Sequence, residues 1–199
     1  MSSFLDEPVR GFLDQLAART PAPGGGGAAA ITGAMAAGLV AMAARFSARQ
    51  LPEAGELAEE ADRLRYMASQ LLDMDARAYA AVLDAGRQPG DDRQRGERTR
   101  EALLGAAHVP LEIAGIGARV AALAAQLAEA GNPNLRGDAV TGALLAAASA
   151  RSAACLVDIN VGLGGLDPEL SQRAAQAVAD ADDAADQVLN TERAGDEPR

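Results

Sequence analysis

Asp75 and Tyr79 are a pair of residues whose types and spacing suit chemistry. They lie four positions apart in LLDMDARAYAAV, residues 71–82, so a helix places both on one face, with Leu72 and Val82 close beside them. A carboxylate and a phenol on the apolar side of a helix can serve as an acid–base group and a hydrogen bonder. They can equally be a buried pair with a structural role, and the spacing alone leaves both interpretations open.

A second polar segment, GNPNLRGD at residues 131–138, contains Asn132, Asn134 and Asp138. Its amides and carboxylate could contact a ligand. They could also be structural, because asparagines cap turns and Asp138 is placed to N-cap the helix that follows.

The third segment is TPAPGGGG at residues 20–27, which ends in Pro23, Gly24, Gly25, Gly26 and Gly27. No GK[ST] follows it and no strand precedes it, so neither a Walker loop nor a dinucleotide fingerprint is present. Because a helix follows, the bare backbone can let a ligand approach unpaired N–H groups at the helix N-terminus. The alternative is a tight turn that serves close packing.

Apolar periodicity predicts that long helices carry these segments. The chain is rich in helix-forming Ala, Leu, Glu, Gln and Arg and poor in aromatics, which make up 3% of it. We therefore expect an all-α bundle of long antiparallel helices in a single domain over residues 1–199. The predicted helices are 4–18 (with Pro8 in the first turn or at a short break), 27–47, 52–86, 93–130 (kinked or restarted at Pro110), 138–161 and 168–192.

The predicted second helix is central. Small residues surround its stripe of Ile31, Met35, Leu39 and Met42, so neighbouring helices can approach closely. Residues 20–44 carry no charge, but they are mostly Ala and Gly and open with two prolines, which favours a buried helix over a membrane span. Alanine-rich seams bury little area per residue, so we expect a homodimer.

Charge and composition exclude other classes. The net charge of −10 and the lack of an arginine–aromatic surface oppose nucleic-acid binding. With one cysteine and one histidine, the chain has no internal disulfide and lacks the usual metal ligands. The N-terminus does not resemble a signal peptide, so we expect a cytoplasmic protein without a metal.

Taken in order, several segments resemble the cyclodeaminase/cyclohydrolase domain of the formiminotransferase-cyclodeaminase family. They cover most of the chain, and TPAPGGG and GNPN are the most specific of them. The matching segments are FLDQLAARTPAPGGGGAAA, DMDARAYAAV, VPLEIA, GNPN followed by GD, and DIN ending at Asn160.

The resemblance implies an all-α homodimer that acts on one-carbon tetrahydrofolates without a metal or another cofactor. Members either close 5-formimino-tetrahydrofolate to 5,10-methenyl-tetrahydrofolate with loss of ammonia, or hydrolyse the methenyl form to 10-formyl-tetrahydrofolate. It implies Asp138 as the first catalytic candidate, with Asp75 and Tyr79 across the pocket. The substrate-binding residues that it implies are Pro23, Gly24, Gly25, Gly26, Gly27, Asn132, Asn134 and Asn160.

Four positions depart from the family pattern. Gly27, Gly90, Gly137 and Leu156 stand where relatives usually have serine, lysine, serine and asparagine. The alternative function is therefore a catalytically silent, dimeric folate-binding or interaction protein of the same fold. A plain helical scaffold, whose glycine run serves only packing, is the third possibility.

Overall fold

A computed structural model describes the backbone of residues 3–195 and the side chains of residues 3–190. This part of the chain contains no β-strand, which confirms the predicted all-α class. Short 3-10 turns lie at Phe4–Asp6 and Pro133–Leu135. The six α-helices are α1 (Val9–Leu16), α2 (Gly25–Arg45), α3 (Ala54–Arg87), α4 (Asp92–Ala130), α5 (Arg136–Gly164) and α6 (Glu169–Gly195).

Helix α2 packs against α3, α4 and α5, whereas α4 contacts each of α2, α3, α5 and α6, so the central position predicted for α2 belongs to α4. Small residues make the close approach possible. A Cβ atom at Gly142 of α5 would lie 3.1 Å from Val40 Cγ2 and 3.5 Å from the Ala36 carbonyl oxygen of α2. Gly33 of α2 leaves room for the Ser149 hydroxyl, which donates to the Ala29 carbonyl at 2.8 Å. These pairs show that α2 and α5 run antiparallel.

The predicted first helix, residues 4–18, is divided at Pro8. The segment begins as the 3-10 turn, and Pro8 then serves as the N-cap of α1. A proline lacks the N–H that a continuous helix would need there, so the chain breaks and restarts. The Phe4 N–H donates to Asp73 Oδ1 at 3.0 Å, which ties the N-terminal turn to α3.

The glycine run is not wholly a loop. Helix α2 begins at Gly25, two residues earlier than predicted, and Gly24 is its N-cap with φ −128°. Three glycines therefore form the first turn of α2, and none of the four requires a left-handed conformation. Because these glycines have no side chains, other groups can lie directly against the backbone of this turn.

Helix α4 runs unbroken through Pro110 for 39 residues, so the predicted restart there does not occur. Helix α5 begins at Arg136, two residues before the predicted start, and ends at Gly164, and the φ of 52° at its C-cap Gly165 is the left-handed conformation that favours glycine. The Arg100 side chain donates to the Gly164 and Gly165 carbonyls and so caps that end.

Three helical segments are long and apolar enough to cross a membrane by length and composition: Gly25–Arg45, Asp92–Ala130 and Pro133–Gly164. More than half of each apolar window is buried inside the bundle. That burial supports the interpretation of α2 as a packed core helix. The absence of a membrane interaction stays a prediction.

Candidate functional site

One cavity of about 370 Å³ lies where α2 begins, beside the middle of α3 and the last turns of α5. Its walls come from the turn before α2, from α3, from α4 and from α5. The lining residues are Pro21, Ala22, Gly24, Gly25, Gly26, Asp75, Ala78, Tyr79, Val82, Leu103, Ala106, Pro110, Leu156, Ile159, Asn160 and Leu163. The structure thus brings together the glycine run, Asp75, Tyr79 and Asn160, which are far apart in sequence.

Asp75 projects from α3 against the first turn of α2. A Cβ atom at Gly26 would lie 2.7 Å from Asp75 Oδ2 and closer still to the other carboxyl atoms. Burial raises the pKa of the Asp75 carboxyl, and the hydrogen bond from the Gly27 backbone N–H partly opposes that rise. Asp75 is therefore a half-buried carboxyl group at the positive end of a helix, facing a cavity.

Gly24 and Gly25 present bare backbone to the cavity. A Cβ atom at either position would meet nothing within 4 Å. Gly24 provides no side-chain cap, so N–H groups of the first turn of α2 remain available to a ligand. Pro23 does not line the cavity but is buried behind it, 3.6 Å from where a Cβ at Gly27 would lie.

Tyr79 separates this cavity from a neighbouring one. Its side chain is 46% exposed, and it lines both the first cavity and a second of about 460 Å³. The charged residues of the second cavity are Glu7, Asp84 and Arg87. Tyr79 is therefore accessible from two sides and is not part of a sealed Asp–Tyr pair.

Asn160 lies on the last part of α5 with its side chain half-buried at the cavity wall. Its Nδ2 donates to the Ala106 carbonyl oxygen of α4 at 2.8 Å. The family resemblance implied Asn160 as a substrate-binding residue, but nothing in the sequence indicated this hydrogen-bond partner.

Asn132 and Asn134 lie at the opposite end of the bundle. The Asn132 N–H donates to the buried Ser47 hydroxyl at 2.9 Å, and its Nδ2 donates to the Phe46 carbonyl at 3.1 Å. Its Oδ1 accepts from the Asn134 N–H at 3.0 Å. Within one chain these contacts fasten the α4–α5 turn to the end of α2, and neither asparagine reaches the cavity.

Asp138 is also outside the cavity. It lies in the first turn of α5, where Leu135 is the N-cap and no side chain caps the helix, so Asp138 is not the N-cap that the sequence suggested. At 1.5 Å per residue, the 22 residues from Asp138 to Asn160 span roughly 33 Å. One chain therefore cannot place both in the same pocket.

The four departures from the family pattern fall in different places. Leu156 lines the cavity, and Gly27 contacts Asp75 through its N–H while leaving room for Leu72. Gly90 lies in the α3–α4 turn with φ +153°, and Gly137 lies at the start of α5. Only Leu156 and Gly27 change the surroundings of the cavity.

Several cavity residues were not predicted from the sequence. Leu103, Ile159 and Leu163 form apolar walls, and such residues look like ordinary core positions in a sequence. Pro110 did give a signal, because a proline inside a long helical pattern is unusual. Among the described side chains, no group of three His, Cys, Asp or Glu residues is placed to hold a metal ion.

Comparison with known proteins agrees with the fold and the motifs. The sequence profile described as Formiminotransferase-cyclodeaminase matches residues 8–180. The chain belongs to this family. The resemblance inferred from the glycine run and the Asn-Pro-Asn segment is thereby confirmed.

Individual relatives fall into two groups. The methenyltetrahydrofolate cyclohydrolase of Methylorubrum extorquens is 37% identical over 165 residues, covering 78% of this chain and 79% of that protein. The formimidoyltransferase-cyclodeaminase of Mus musculus is 33% identical over 140 residues, which are 65% of this chain but 26% of the mouse protein. The crystal structure of formiminotetrahydrofolate cyclodeaminase from Thermotoga maritima superimposes with a TM-score of 0.83 at 26% identity, covering 94% of this chain and 96% of that one.

Proposed function

We propose that this protein is a folate one-carbon enzyme that hydrolyses 5,10-methenyl-tetrahydrofolate to 10-formyl-tetrahydrofolate. The observation that carries the proposal is the half-buried Asp75 carboxyl beside a cavity of about 370 Å³. The cyclohydrolase named for the Methylorubrum relative, which aligns along most of its length, points to the same reaction.

The reaction suits a carboxylate of this kind. The methenyl carbon carries a cationic, amidinium-like charge, which a nearby carboxylate stabilises. Asp75 accepts a proton from the attacking water as the oxygen bonds to that carbon. The bond from the carbon to N5 then breaks, N5 takes up the proton that Asp75 holds, and the new hydroxyl releases its own proton to solvent as it becomes the formyl carbonyl on N10. A raised pKa makes Asp75 a better base than an exposed aspartate, since general-base efficiency rises as the pKa approaches the working pH. Tyr79 is the second polar group of the pocket and a hydrogen bonder for the folate.

The remaining walls fit a flat, partly polar ring system. Leu103, Ile159 and Leu163 provide apolar surface, and Gly24 and Gly25 let a ring carbonyl approach the N–H groups of α2. Apart from the folate substrate, the proposed mechanism uses no cofactor and no metal.

Ring closure of 5-formimino-tetrahydrofolate with loss of ammonia is the second candidate activity. It is favoured by the Thermotoga maritima cyclodeaminase, whose structure matches along nearly the whole chain. The Asp75 carboxylate would stabilise the same cationic carbon in both reactions. Its position therefore does not distinguish the two activities, and an activity assay must do so.

A homodimer through the outer face of α2 and α5 is part of the proposal. Residues of this face include the exposed Met35 and Leu144 and the groove of Thr32, Ala148 and Ser152. The face is uncharged, because the one charged residue in the middle of α5, Arg151, turns away to pair with Asp182 of α6 at 2.8 Å. An uncharged face of two helices is suited to an isologous contact.

This dimer contact would also bring together predicted site residues that lie far apart within one chain, namely the cavity residues of one subunit and the residues near Asp138 of the other. A two-fold axis crossing α5 near its middle brings the partner subunit's Asp138 toward the end of α5 that carries Asn160. Asp138 would then act in the neighbouring subunit's site and have the catalytic role that the family resemblance implies for it. We propose that this dimer is cytoplasmic, because its reduced folate substrate and its single cysteine both suit a reducing compartment.

The direct test follows the near-ultraviolet absorbance of 5,10-methenyl-tetrahydrofolate with purified protein against buffer. We expect loss of absorbance and formation of 10-formyl-tetrahydrofolate, and a fall in turnover on the order of 10²-fold for Asp75→Asn. The exposed Asp183→Asn on α6 is the matched control. Binding without turnover by the wild type would instead support the catalytically silent alternative, which the apolar Leu156 in the cavity favours.

A further inference from the structure

Pro110 leaves one backbone carbonyl of α4 without its helical partner. In an unbroken α-helix the carbonyl of residue 106 accepts from the N–H of residue 110, and proline has none. Helix α4 nevertheless continues through this position. Ala106 and Pro110 both line the cavity, so the affected carbonyl lies at its wall.

Asn160 supplies the missing donor from another helix. Its Nδ2 donates to the Ala106 oxygen at 2.8 Å. A carbonyl oxygen can only accept, so the nitrogen end of the amide must face Ala106. The amide is planar, so with Nδ2 on the Ala106 oxygen its Oδ1 is directed away from that carbonyl. The two ends of this side chain are not interchangeable.

We propose that Pro110 is a positioning residue that acts through the Ala106 carbonyl to fix Asn160 Oδ1 as a hydrogen-bond acceptor for the ligand. The inference rests on the proposed function, and the ligand group concerned is an N–H or amino group of a reduced pterin ring. Such a ring carries several donors. An acceptor held in place in advance loses little conformational freedom on binding, which strengthens the contact.

The competing explanation is purely structural. Asn160 could do no more than satisfy a carbonyl that would otherwise be buried without a partner. Both explanations predict the hydrogen bond, but only ours predicts that freeing the amide weakens ligand binding while the fold stays intact. Pro110→Ala separates them, because it restores an N–H for Ala106 and releases Asn160 without removing it.

The first measurement needs no ligand. In ¹⁵N spectra the Asn160 side-chain amide, assigned by its loss in Asn160→Asp, should show slowed hydrogen exchange in the wild type. Pro110→Ala should return it to the fast exchange of a free amide. Pro52→Ala, an exposed proline outside the cavity, should leave it unchanged. Fast exchange in the wild type would overturn the proposal at once.

The second measurement uses turnover of 5,10-methenyl-tetrahydrofolate and calorimetric binding of 5-formyl-tetrahydrofolate. We expect Pro110→Ala to raise KM and the dissociation constant about tenfold with kcat changed less than about twofold and no fall in Tm. In an Asn160→Ala background the same substitution should have no further effect on binding, because the two residues act as one unit.

The outcomes separate the two proposals. In one outcome, the Asn160 amide exchanges slowly in the wild type and fast in Pro110→Ala, but KM and binding do not change. That result would overturn the positioning role and leave the proposed function standing. A wild-type protein that neither turns over nor binds these folates would overturn the proposed function and the ligand assigned to Asn160, whatever the amide shows. Additive effects of the two substitutions would show that Pro110 does not act through Asn160.

Discussion

The carboxyl group of Asp75 occupies the space in which a side chain at Gly26 would lie. The neighbouring Gly25 differs, since a Cβ atom there would enter open space at the cavity. The two glycines are adjacent in sequence, yet one faces the helix that carries the acid and the other faces the proposed ligand.

Alanine substitutions should therefore separate Gly25 from Gly26. Gly26→Ala displaces the Asp75 carboxyl from the first turn of α2, and we expect a loss of about 1–3 kcal/mol in unfolding free energy together with a fall in kcat. Gly25→Ala should keep stability within about 0.5 kcal/mol and raise KM instead. Urea unfolding and steady-state kinetics of both variants make the measurement. An unchanged KM in Gly25→Ala would show that the ligand does not approach this backbone.

Asp75 should also make the stability of the protein depend on pH in a defined direction. Burial raises the pKa of Asp75 in the folded state above the ordinary value of 3.8. At pH values between 3.8 and this raised pKa, the folded state therefore binds more protons than the unfolded state. The wild type loses stability as the pH rises through this window, and the loss persists at neutral pH. Asp75→Asn removes the charge and keeps an oxygen that can accept from the Gly27 N–H.

We therefore expect Asp75→Asn to be more stable than the wild type at neutral pH, with the difference shrinking toward about pH 4. Urea unfolding at a series of pH values measures it, and Asp183→Asn gives the baseline for removing an exposed carboxylate. A difference that grows on acidification would mean that the folded state stabilises the charge, and it would contradict the assignment of Asp75 as a half-buried base.

The sequence predicted the helices well because their signals are local. Pro8 marks the break before α1, and the predicted start of α5 differs from the observed start by two residues, although Pro110 does not restart α4, which was one of the two outcomes predicted for it. The close packing of α2 followed from small residues such as Ala37, which is fully buried, but the central position predicted for α2 was wrong, since α4 is the helix that contacts all the other long helices. Sequence patterns of this kind predict the properties of the helix that contains them.

The site was harder to predict because its contacts join different helices. The helical spacing placed Asp75 and Tyr79 on one face, but it did not say which helix that face meets. Simple geometry could have shown that Asp138 and Asn160 lie near opposite ends of α5, roughly 33 Å apart. The partnership of Pro110 with Asn160 had no sequence signal, since 50 residues separate them.

Ser47 should be important for stability at the end of the bundle away from the cavity. Its buried hydroxyl donates to the Ala43 carbonyl at 2.8 Å and accepts from the Asn132 N–H at 2.9 Å. Ser47→Ala leaves that N–H without a partner, and we expect a cost of about 1–3 kcal/mol in unfolding free energy. Ser69→Ala is the matched control, because Ser69 is only partly buried and its hydroxyl makes the same bond to the carbonyl four residues back, that of Arg65. Equal costs at the two serines would contradict the role of the Asn132 contact.

The proposed dimer predicts complementation between two inactive variants. Asp75→Asn and Asp138→Asn should each lose turnover on the order of 10²-fold while folding normally. If each site uses Asp75 of one subunit and the partner subunit's Asp138, a mixed dimer contains one intact site and one site with both substitutions. Random mixing makes half of the dimers mixed, so activity should return to about one quarter of the wild-type value.

Subunit exchange under mild denaturant, followed by the methenyl-tetrahydrofolate assay, tests this, with sedimentation to verify the dimer. Asp75→Asn mixed with Asn160→Ala is the control, because both residues line the cavity of one chain and every mixed dimer would have one lesion in each site. Recovery in the first mixture alone would support a site completed by the partner. A folded monomer at micromolar concentration, or no recovery in either mixture, would place the chemistry on Asp75 and Tyr79 within one chain and leave Asp138 as a first-turn residue of α5.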